Sequence, residues 1–337
     1  MAAPIPPNVT PSGVTPLIVT PLIVTWTLNP TVDFVSTAPA LEATHKIRTQ
    51  DEHVDPGGGG VNVARVVQAL GGEALAVFAA GGVTGHFLGE LLAESGVPHH
   101  CVPIAGRTRV CFTVREAKSG LEYRFVPEGP ELAEAEWRSA LAALPAAPET
   151  YVVASGSLPR GVPTRVYADA ARMAAARGQR FVLDTSGPAL RAALGHGITL
   201  MKPSLRELES LVGHRLADPS AQEVEALRLV RAGAAQMVVV TLGAEGAILA
   251  TEAGVRRRPA PAAALHSAVG AGDAFLGAMV LALARGATPE DALDWGLAAG
   301  AVAITGIGTA RITRDAVERL HRALRAGAPS LNGSPHT

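Results

Sequence analysis

The sequence predicts an α/β protein with a mostly parallel central sheet flanked by helices and a second, small β-sheet inserted as a lid. Nearly continuous apolar runs alternate with helical patterns along the chain, as is typical of parallel strands covered on both faces. Two segments, residues 31–54 and 99–126, carry polar–apolar alternation instead. That alternation favours a small antiparallel sheet inserted into the main domain.

The individual elements can be placed in order along the chain. Strands are expected at residues 22–27, 74–78, 151–154, 180–183, 198–201 and 237–241. Helices are expected at residues 61–70, 86–94, 133–143, 163–176, 222–231, 276–284 and 313–326. We therefore expect one folded domain over residues 22–326, with tails over residues 1–21 and 327–337.

Composition limits the classes of partner. The chain has 337 residues, of which 48% are hydrophobic and 18% charged, so it can bury an ample core. The formal net charge is −1, without an extended basic tract, which argues against nucleic acid as a principal partner. The sequence contains no apolar run of membrane-spanning length, so no membrane partner is expected.

The cysteines and the N-terminal segment predict a cytoplasmic protein. Cys101 and Cys111 are the two cysteines, and their spacing fits neither a metal site nor a redox motif. Two buried thiols are expected. The N-terminal segment lacks the basic region and the continuous apolar region of a secretory signal.

A Gly-rich stretch near the C-terminus carries the strongest indication of chemistry. Gly270, Ala271, Gly272 and Asp273 precede a long apolar helix. The unpaired N–H groups at a helix start bind phosphate oxygens, and a carboxylate beside them could take a proton from an attacking hydroxyl. Taken alone, the stretch fits an ordinary helix start, with Asp273 as a first-turn residue, equally well.

A second glycine cluster lies far upstream and opens onto another helix. Gly57, Gly58, Gly59 and Gly60 are followed by Asn62, whose amide offers donors and an acceptor. Successive glycines let a ligand lie against bare backbone. A flexible linker is the weaker interpretation, because linkers seldom open onto an amphipathic helix. P-loop, HExxH and GxSxG motifs are absent from the sequence, which disfavours the corresponding enzyme classes.

Together, the segments PGGGGVNVAR and VGAGDAF resemble the two signatures of the ribokinase-like sugar kinases, in their phosphofructokinase B branch. Supporting segments occur in the family's order: LNPTVD, EYRF, SGSLP, MKP and TLG. The resemblance covers residues 22–324. Within the branch, the chain most resembles the minor-type bacterial 6-phosphofructokinases.

The resemblance implies ATP-dependent phosphorylation of fructose 6-phosphate at O1, with Mg²⁺, by a homodimer paired through its lid. A monovalent cation, K⁺, near residues 267–269 is compatible with it. The nearest alternatives are 1-phosphofructokinase and tagatose-6-phosphate kinase. Those relatives tend to carry a lysine within the glycine cluster, where this chain has Gly60. A non-catalytic sugar-phosphate sensor is more remote, because the Gly270–Asp273 stretch is intact.

The resemblance also assigns site residues. The proposed base is Asp273, and the γ-phosphoryl group is assigned to Gly270, Ala271 and Gly272. The sugar phosphate is assigned to Asp33, Gly58, Gly59, Asn62, Arg109 and Ser157, with Arg124, Lys46 and Arg48 as weaker candidates for the phosphate. The nucleotide is assigned to Lys202, Ser204, Glu207, Thr241, Gly243 and Gly246.

Ser204 departs from the family pattern. The family has Asn at this position, paired with the glutamate corresponding to Glu207 to organise Mg²⁺ and its waters. A hydroxyl can still hold a metal-bound water, so Glu207 is expected at the metal. The alternative is structural, because Ser-x-x-Glu is also the sequence of a capping box at a helix start.

Overall fold

A computed structural model describes residues 22–148, 150–306 and 311–326; the expected tails, 1–21 and 327–337, lie outside the described residues. The strands are β1 Ile23–Thr27, β2 Thr31–Ala38, β3 Gln50–Gly57, β4 Ala74–Ala80, β5 His99–Pro103, β6 Arg109–Glu116, β7 Glu122–Phe125, β8 Tyr151–Ser155, β9 Arg180–Asp184, β10 Ile198–Met201, β11 Met237–Thr241, β12 Ala247–Thr251 and β13 Gly254–Arg258. The helices are α1 Gly59–Ala69, α2 Gly82–Glu94, α3 Glu134–Ala142, α4 Val166–Ala176, α5 Gly187–Ala193, α6 Leu205–Val212, α7 Pro219–Arg231, α8 Ala271–Ala284, α9 Pro289–Ala303 and α10 Arg314–Arg325.

The large sheet has the strand order β13-β12-β11-β10-β9-β8-β1-β4-β5. Neighbours from β11 to β5 pair in parallel, whereas β12 and β13 add an antiparallel edge. The predicted mostly parallel sheet is confirmed. Because parallel strands share one direction, their carboxyl ends lie along a single edge, where ligands bind in open α/β sheets.

Helices cover both faces of this sheet, as predicted. Buried side chains of one face of the sheet form a core with α1, α2, α8, α9 and α10. Those of the other face pack with α3, α4, α5, α6 and α7. The prediction missed α5 and α9, and it contained the start of α6 only as the capping-box alternative at Ser204 and Glu207. Within the described part of the chain, no helix is both long and apolar enough to cross a bilayer.

The second sheet has the order β3-β2-β6-β7 and corrects the prediction in two ways. The sheet is mixed rather than antiparallel, because β2 and β6 pair in parallel. The segment expected from residue 99 begins later, because β5 pairs with β4 in the large sheet. The expectation of two buried thiols was also wrong for one of them: Cys111 is buried, but Cys101 lies exposed on β5.

The two faces of the small sheet differ in character. Asp33 and Asp55 stand opposite each other on adjacent strands and are buried. Phe112 and Phe125 stand opposite each other on another strand pair, and both are about half exposed. One face of the small sheet therefore brings carboxylates towards the main domain, while the other presents aromatic side chains to the outside.

Candidate active site

Two helices begin at the same point of the cleft. Gly58 precedes α1 with φ 107°, and Gly270 precedes α8 with φ 75°, both in the left-handed range that favours glycine. The first turns of the helices are joined by a hydrogen bond of 2.8 Å, which Asn62 Nδ2 donates to Asp273 Oδ2. The first N–H groups of a helix lack partners within the helix, so this point can hold an anion.

Asp273 has the electrostatics of a proton acceptor near neutral pH. Burial, with the nearby carboxylates of Asp184 and Asp33, raises its pKa to about 7, against the hydrogen bond from Asn62 and the charge of Lys202, which lower it. A carboxylate with such a pKa takes up a proton far more readily than an ordinary aspartate. Asp273 can therefore act as a general base.

Lys202 extends from the end of β10 to the start of α8. Its ammonium Nζ lies 3.1 Å from Asp184 Oδ1, and the position that a Cβ of Gly272 would occupy is 3.4 Å from Nζ. Burial lowers the pKa of Lys202, but the charges of Asp184, Asp273 and Glu207 raise it by more. A protonated amine thus stands beside the N–H groups that can hold a phosphoryl group.

Asp184 is the functional candidate that the sequence analysis missed. It ends β9, and Ser155 Oγ at the end of the neighbouring β8 donates to Asp184 Oδ2 over 3.4 Å. Burial raises its pKa despite the ion pair with Lys202. The signal was available, because Asp184 directly follows a buried apolar run, as Lys202 does, and adjacent parallel strands bring such residues together.

Ser204 and Glu207 form the capping box that the sequence analysis held open. Glu207 Oε2 accepts from the Ser204 N–H at 2.7 Å, and Ser204 Oγ accepts from the Glu207 N–H at 3.3 Å. The carboxylate of Glu207 also acts on the pKa values of Lys202 and Asp184. Glu207 can therefore cap α6 and still lie near a metal ion.

The predicted nucleotide turn joins β11 to β12 beside this helix start. Thr241 N–H donates to the Pro203 carbonyl at 3.0 Å, which places the turn next to Ser204. Gly243 has φ 62° and Gly246 has φ 105°. A Cβ on Gly246 would lie 2.0 Å from the Arg258 carbonyl oxygen, so Gly246 is required by packing. Gly243 has open space at its Cβ position and faces no such restriction.

The glycine cluster at the start of α1 is crowded at the positions that side chains would occupy. A Cβ on Gly57 would lie 2.2 Å from Asp33 Oδ2, and one on Gly59 would lie 2.2 Å from Ser155 Oγ. A Cβ on Gly60 would lie 2.4 Å from Thr27 Oγ1. At these three positions, glycine is required because the protein packs against itself.

Asp33 lies within β2, in the part of the chain expected to form the small sheet. Its strand position places the carboxylate against the Gly57 backbone, and the residue is only 9% exposed. Asp33 raises the pKa of Asp273 through its charge, so the two carboxylates share one cleft. The structure thus brings Asp33, Asn62 and Asp273 together.

Arg109 lies at the start of β6 and contacts backbone in this structure. Its Nη1 donates to the Pro127 carbonyl at 2.9 Å, and its Nη2 donates to the Asn29 carbonyl at 2.8 Å. Asn29 Nδ2 donates to Ser157 Oγ at 3.3 Å, so Arg109 and Ser157 flank the same residue. Burial lowers the pKa of Arg109. Its Nε has no hydrogen-bond partner within the described residues.

The weaker phosphate candidates lie in exposed positions. Lys46 and Arg48 precede β3, and Arg124 lies on the edge strand β7. Charged side chains in such exposed positions are typically solvated, whereas Arg109 is partly buried.

The candidate metal donors are the carboxylates near Lys202 and the hydroxyl of Ser267. Within the described ranges, no group of three or more His, Cys, Asp or Glu side chains is arranged to hold a metal. Asp184 and Glu207 nevertheless supply carboxylates around Lys202, which fits a Mg²⁺ that arrives with nucleotide phosphates. Ser267 is buried and its Oγ accepts from the Val269 N–H at 3.2 Å.

Comparison with known proteins identifies the family. The model of the "pfkB family carbohydrate kinase" matches residues 20–316. The chain is 42% identical over 297 residues to the ATP-dependent 6-phosphofructokinase isozyme 2 of Mycobacterium tuberculosis, covering 88% of this chain and 87% of the relative. It is 34% identical over 277 residues to the 1-phosphofructokinase of Xanthomonas campestris, covering 78% of this chain and 85% of the relative.

A solved structure extends the likeness to three dimensions. The crystal structure of phosphofructokinase-2 from Escherichia coli in complex with potassium matches with a TM-score of 0.86 and 37% identity, covering 90% of this chain and 99% of that one. The same protein has been solved in complex with substrates and products. The chain therefore belongs to the pfkB family of carbohydrate kinases.

Proposed function

We propose that this protein is an ATP-dependent 6-phosphofructokinase, which transfers the γ-phosphoryl group of ATP to O1 of fructose 6-phosphate. The observation that carries the proposal is Asp273, which lies at the start of α8 with Asn62 donating to it and Lys202 beside it. The relatives named 6-phosphofructokinase exceed the 1-phosphofructokinases in identity, which supports fructose 6-phosphate as the acceptor.

The reaction balances with one proton acceptor. The O1 oxygen attacks the γ-phosphorus as the bond from that phosphorus to the β–γ bridging oxygen breaks, and ADP leaves. The O1 proton passes to the Asp273 carboxylate, whose pKa of about 7 suits this transfer at neutral pH. The products are fructose 1,6-bisphosphate and ADP.

The developing negative charge is stabilised at the start of α8. The backbone N–H groups of Gly270, Ala271 and Gly272 bind the transferring phosphoryl oxygens, and Lys202 adds a positive charge beside Gly272. Asp184 keeps this ammonium in place through its ion pair. Lys202 is held by this ion pair before ATP binds, so its charge needs little reorganisation.

The sugar phosphate occupies the side of the cleft that faces the small sheet. Asp33 accepts hydrogen bonds from sugar hydroxyls, and Asn62 binds beside it. Gly58 and Gly59 contribute backbone N–H groups at the start of α1. The phosphate lies by Arg109 and Ser157, which meet at Asn29. Arg109 still has donors beyond its two backbone bonds, since a guanidinium carries five.

ATP occupies the side formed by β10, β11 and α6. Lys202 contacts its phosphates, and the turn containing Thr241, Gly243 and Gly246 lies along the nucleotide. Ser204 and Glu207 face the metal end of this side. Glu207 would hold Mg²⁺ through water, and the ion would supply positive charge to the nucleotide phosphates. Residues 267–269 would hold K⁺.

We also propose that the protein is a cytoplasmic homodimer paired through the small sheet. Tyr123, Phe125 and Phe112 share its outer face and are 39%, 57% and 49% exposed. An aromatic face of this kind is typical of a protein–protein interface. Light scattering on the purified protein tests the mass, and Phe125→Glu should shift a dimer towards monomer.

A substrate panel tests the proposed function. ADP release is measured by a coupled assay with fructose 6-phosphate, fructose 1-phosphate, tagatose 6-phosphate and unphosphorylated fructose. The highest kcat/KM is expected with fructose 6-phosphate. Preference for fructose 1-phosphate or tagatose 6-phosphate would assign the corresponding kinase instead. Binding of a sugar phosphate without any ADP release would indicate a non-catalytic sensor.

A further inference from the structure

A line of polar contacts runs from the small sheet to Asp273. Asp55 on β3 pairs with Arg65 on α1, with Oδ1 3.3 Å from Nη2, and their side chains are 4% and 14% exposed. Arg65 Nη1 also donates to the Pro56 carbonyl at 3.2 Å and to Asn62 Oδ1 at 3.5 Å. Asn62 Nδ2 then donates to Asp273. The line therefore ends on the residue assigned as the base.

The chemistry of the donors fixes the orientation of the Asn62 amide. A guanidinium has donors and no acceptor, so Arg65 favours the amide oxygen on its own side. The NH₂ group is then directed to the Asp273 carboxylate, which needs donors. A flipped amide would place donor against donor at Arg65 and acceptor against acceptor at Asp273. Either mismatch costs more than the hydrogen bond itself contributes.

The surrounding charges explain why Arg65 stays in place. Burial lowers its pKa, Asp55 and Asp33 raise it, and Arg311 lowers it. Arg311 also contacts Asp55, with Nη2 2.9 Å from Oδ1. Asp33 and Asp55 stand opposite each other on paired strands, and like charges in that arrangement repel. Arg65 thus compensates this acidic pair while it reaches Asn62.

We propose that Arg65 is a positioning residue for phosphoryl transfer: held by Asp55 and the Pro56 carbonyl, it keeps Asn62 in the orientation that donates to Asp273. This inference rests on the proposed role of Asp273 as the base. A change at Arg65 should therefore alter kcat and the protonation of Asp273, because Arg65 acts through Asn62.

The pH dependence follows from the groups that face Asp273. These are Asn62 from α1, Asp33 from β2, Asp184 from β9 and Lys202, which directly follows β10. The hydrogen bond from Asn62 favours the ionised carboxylate and lowers its pKa. Loss of that bond raises the pKa. The acid limb of the kcat–pH profile, where the protonated base is inactive, then moves to higher pH.

A double-mutant cycle tests the proposal. Arg65→Lys retains the charge but loses the fork, so it should lower kcat roughly tenfold and shift the acid limb upward, with little change in KM for fructose 6-phosphate. In an Asn62→Ala background the same substitution should change kcat by less than about twofold, because the residue it acts through is gone. Equal effects in both backgrounds would overturn the proposal, as would an acid limb that does not move.

Two further variants keep the test decisive. Arg311→Lys alters the other ion pair of Asp55 and should leave the acid limb unmoved. If Arg65→Lys does not fold, as judged by circular dichroism, Asp55→Asn removes the charge that holds Arg65 and should give a smaller upward shift. No shift in folded Asp55→Asn would contradict the proposal. Near-normal turnover of Asp273→Asn would instead show that the base assignment had failed.

Discussion

The two glycine-rich segments of the cleft are glycine for different physical reasons. In the segment at the start of α1, a Cβ on Gly57 or Gly59 would lie 2.2 Å from side-chain atoms of Asp33 or Ser155. In the segment at the start of α8, a Cβ on Gly272 would meet its nearest atom, Lys202 Nζ, at 3.4 Å, which is ordinary contact. The side-chain positions of the first segment are closed by the protein, while that of Gly272 in the second remains open to the cleft.

This difference assigns separate tasks to similar sequences. Close packing of the first segment fixes β1, β2 and β8 around the start of α1, and so positions Asp33 and Asn62. The second segment leaves room for a phosphoryl group beside backbone N–H groups and Lys202. Alanine substitutions should therefore separate stability from catalysis.

The largest effect is expected from Gly272→Ala. Its position is helical and uncrowded, so alanine should leave stability unchanged or raise it by up to about 1 kcal/mol. The added methyl group occupies the open side near Lys202, where the phosphoryl group is proposed to bind. We expect kcat to fall by roughly 10²- to 10³-fold, as on loss of an anion-stabilising donor. Thermal unfolding measures the stability, and steady-state kinetics measures kcat. Full activity of Gly272→Ala would contradict the proposed difference between the two segments.

Gly59→Ala should have the opposite character. The methyl group would collide with Ser155 Oγ, and overpacking of this kind costs about 1–3 kcal/mol of unfolding free energy. Urea denaturation measures the loss. Combining Gly59→Ala with Ser155→Ala removes the colliding oxygen and should recover part of the lost stability. If Gly59→Ala alone is as stable as the native protein, the segment is not closed.

A smaller effect, on substrate binding, is expected from Gly57→Ala. The methyl group displaces the Asp33 carboxylate, which is proposed to accept sugar hydroxyls. Loss of a charge-assisted contact corresponds to roughly ten- to a hundredfold in KM for fructose 6-phosphate, with a lesser change in KM for ATP. An equal rise in both KM values would indicate a general distortion of the cleft.

The smallest effects concern the metal. Glu207→Gln keeps an oxygen that can accept from the Ser204 N–H but loses the charge, so it should need several-fold more Mg²⁺ and turn over slowly. Ser204→Asn is the matched control and should change activity little, because Asn also caps helices well. Titration of Mg²⁺ at fixed ATP decides this. Unchanged Mg²⁺ dependence in Glu207→Gln would mean that the pair only caps α6.

The sequence was sufficient for the layers of the fold and for most of the cleft. Apolar runs predicted the six buried parallel strands near their observed positions, and position after such runs placed Lys202 at the carboxyl edge. Asp184 carries the same signal and was overlooked. The short edge strand β5 was taken for part of the lid because its sequence, HHCVP, lacks the continuous apolar run of the central strands.

Other features depend on contacts that no local pattern encodes. Asp55 and Arg311 are 256 positions apart in the chain. The parallel pairing of β2 with β6 depends on how the chain crosses the domain, which alternation does not specify. The crowding of Gly57 and Gly59 was likewise invisible, because a glycine required by packing and one that faces a ligand are the same letter.

The most direct test of the account is the turnover of Asp273→Asn with fructose 6-phosphate and ATP. Asparagine keeps the shape of the side chain and an oxygen that can accept from Asn62, but it cannot take the O1 proton. We predict a fall in kcat of at least about a hundredfold, with little change in KM, in a variant that unfolds like the native protein. Near-normal kcat in that folded variant would contradict the assignment of Asp273 as the general base.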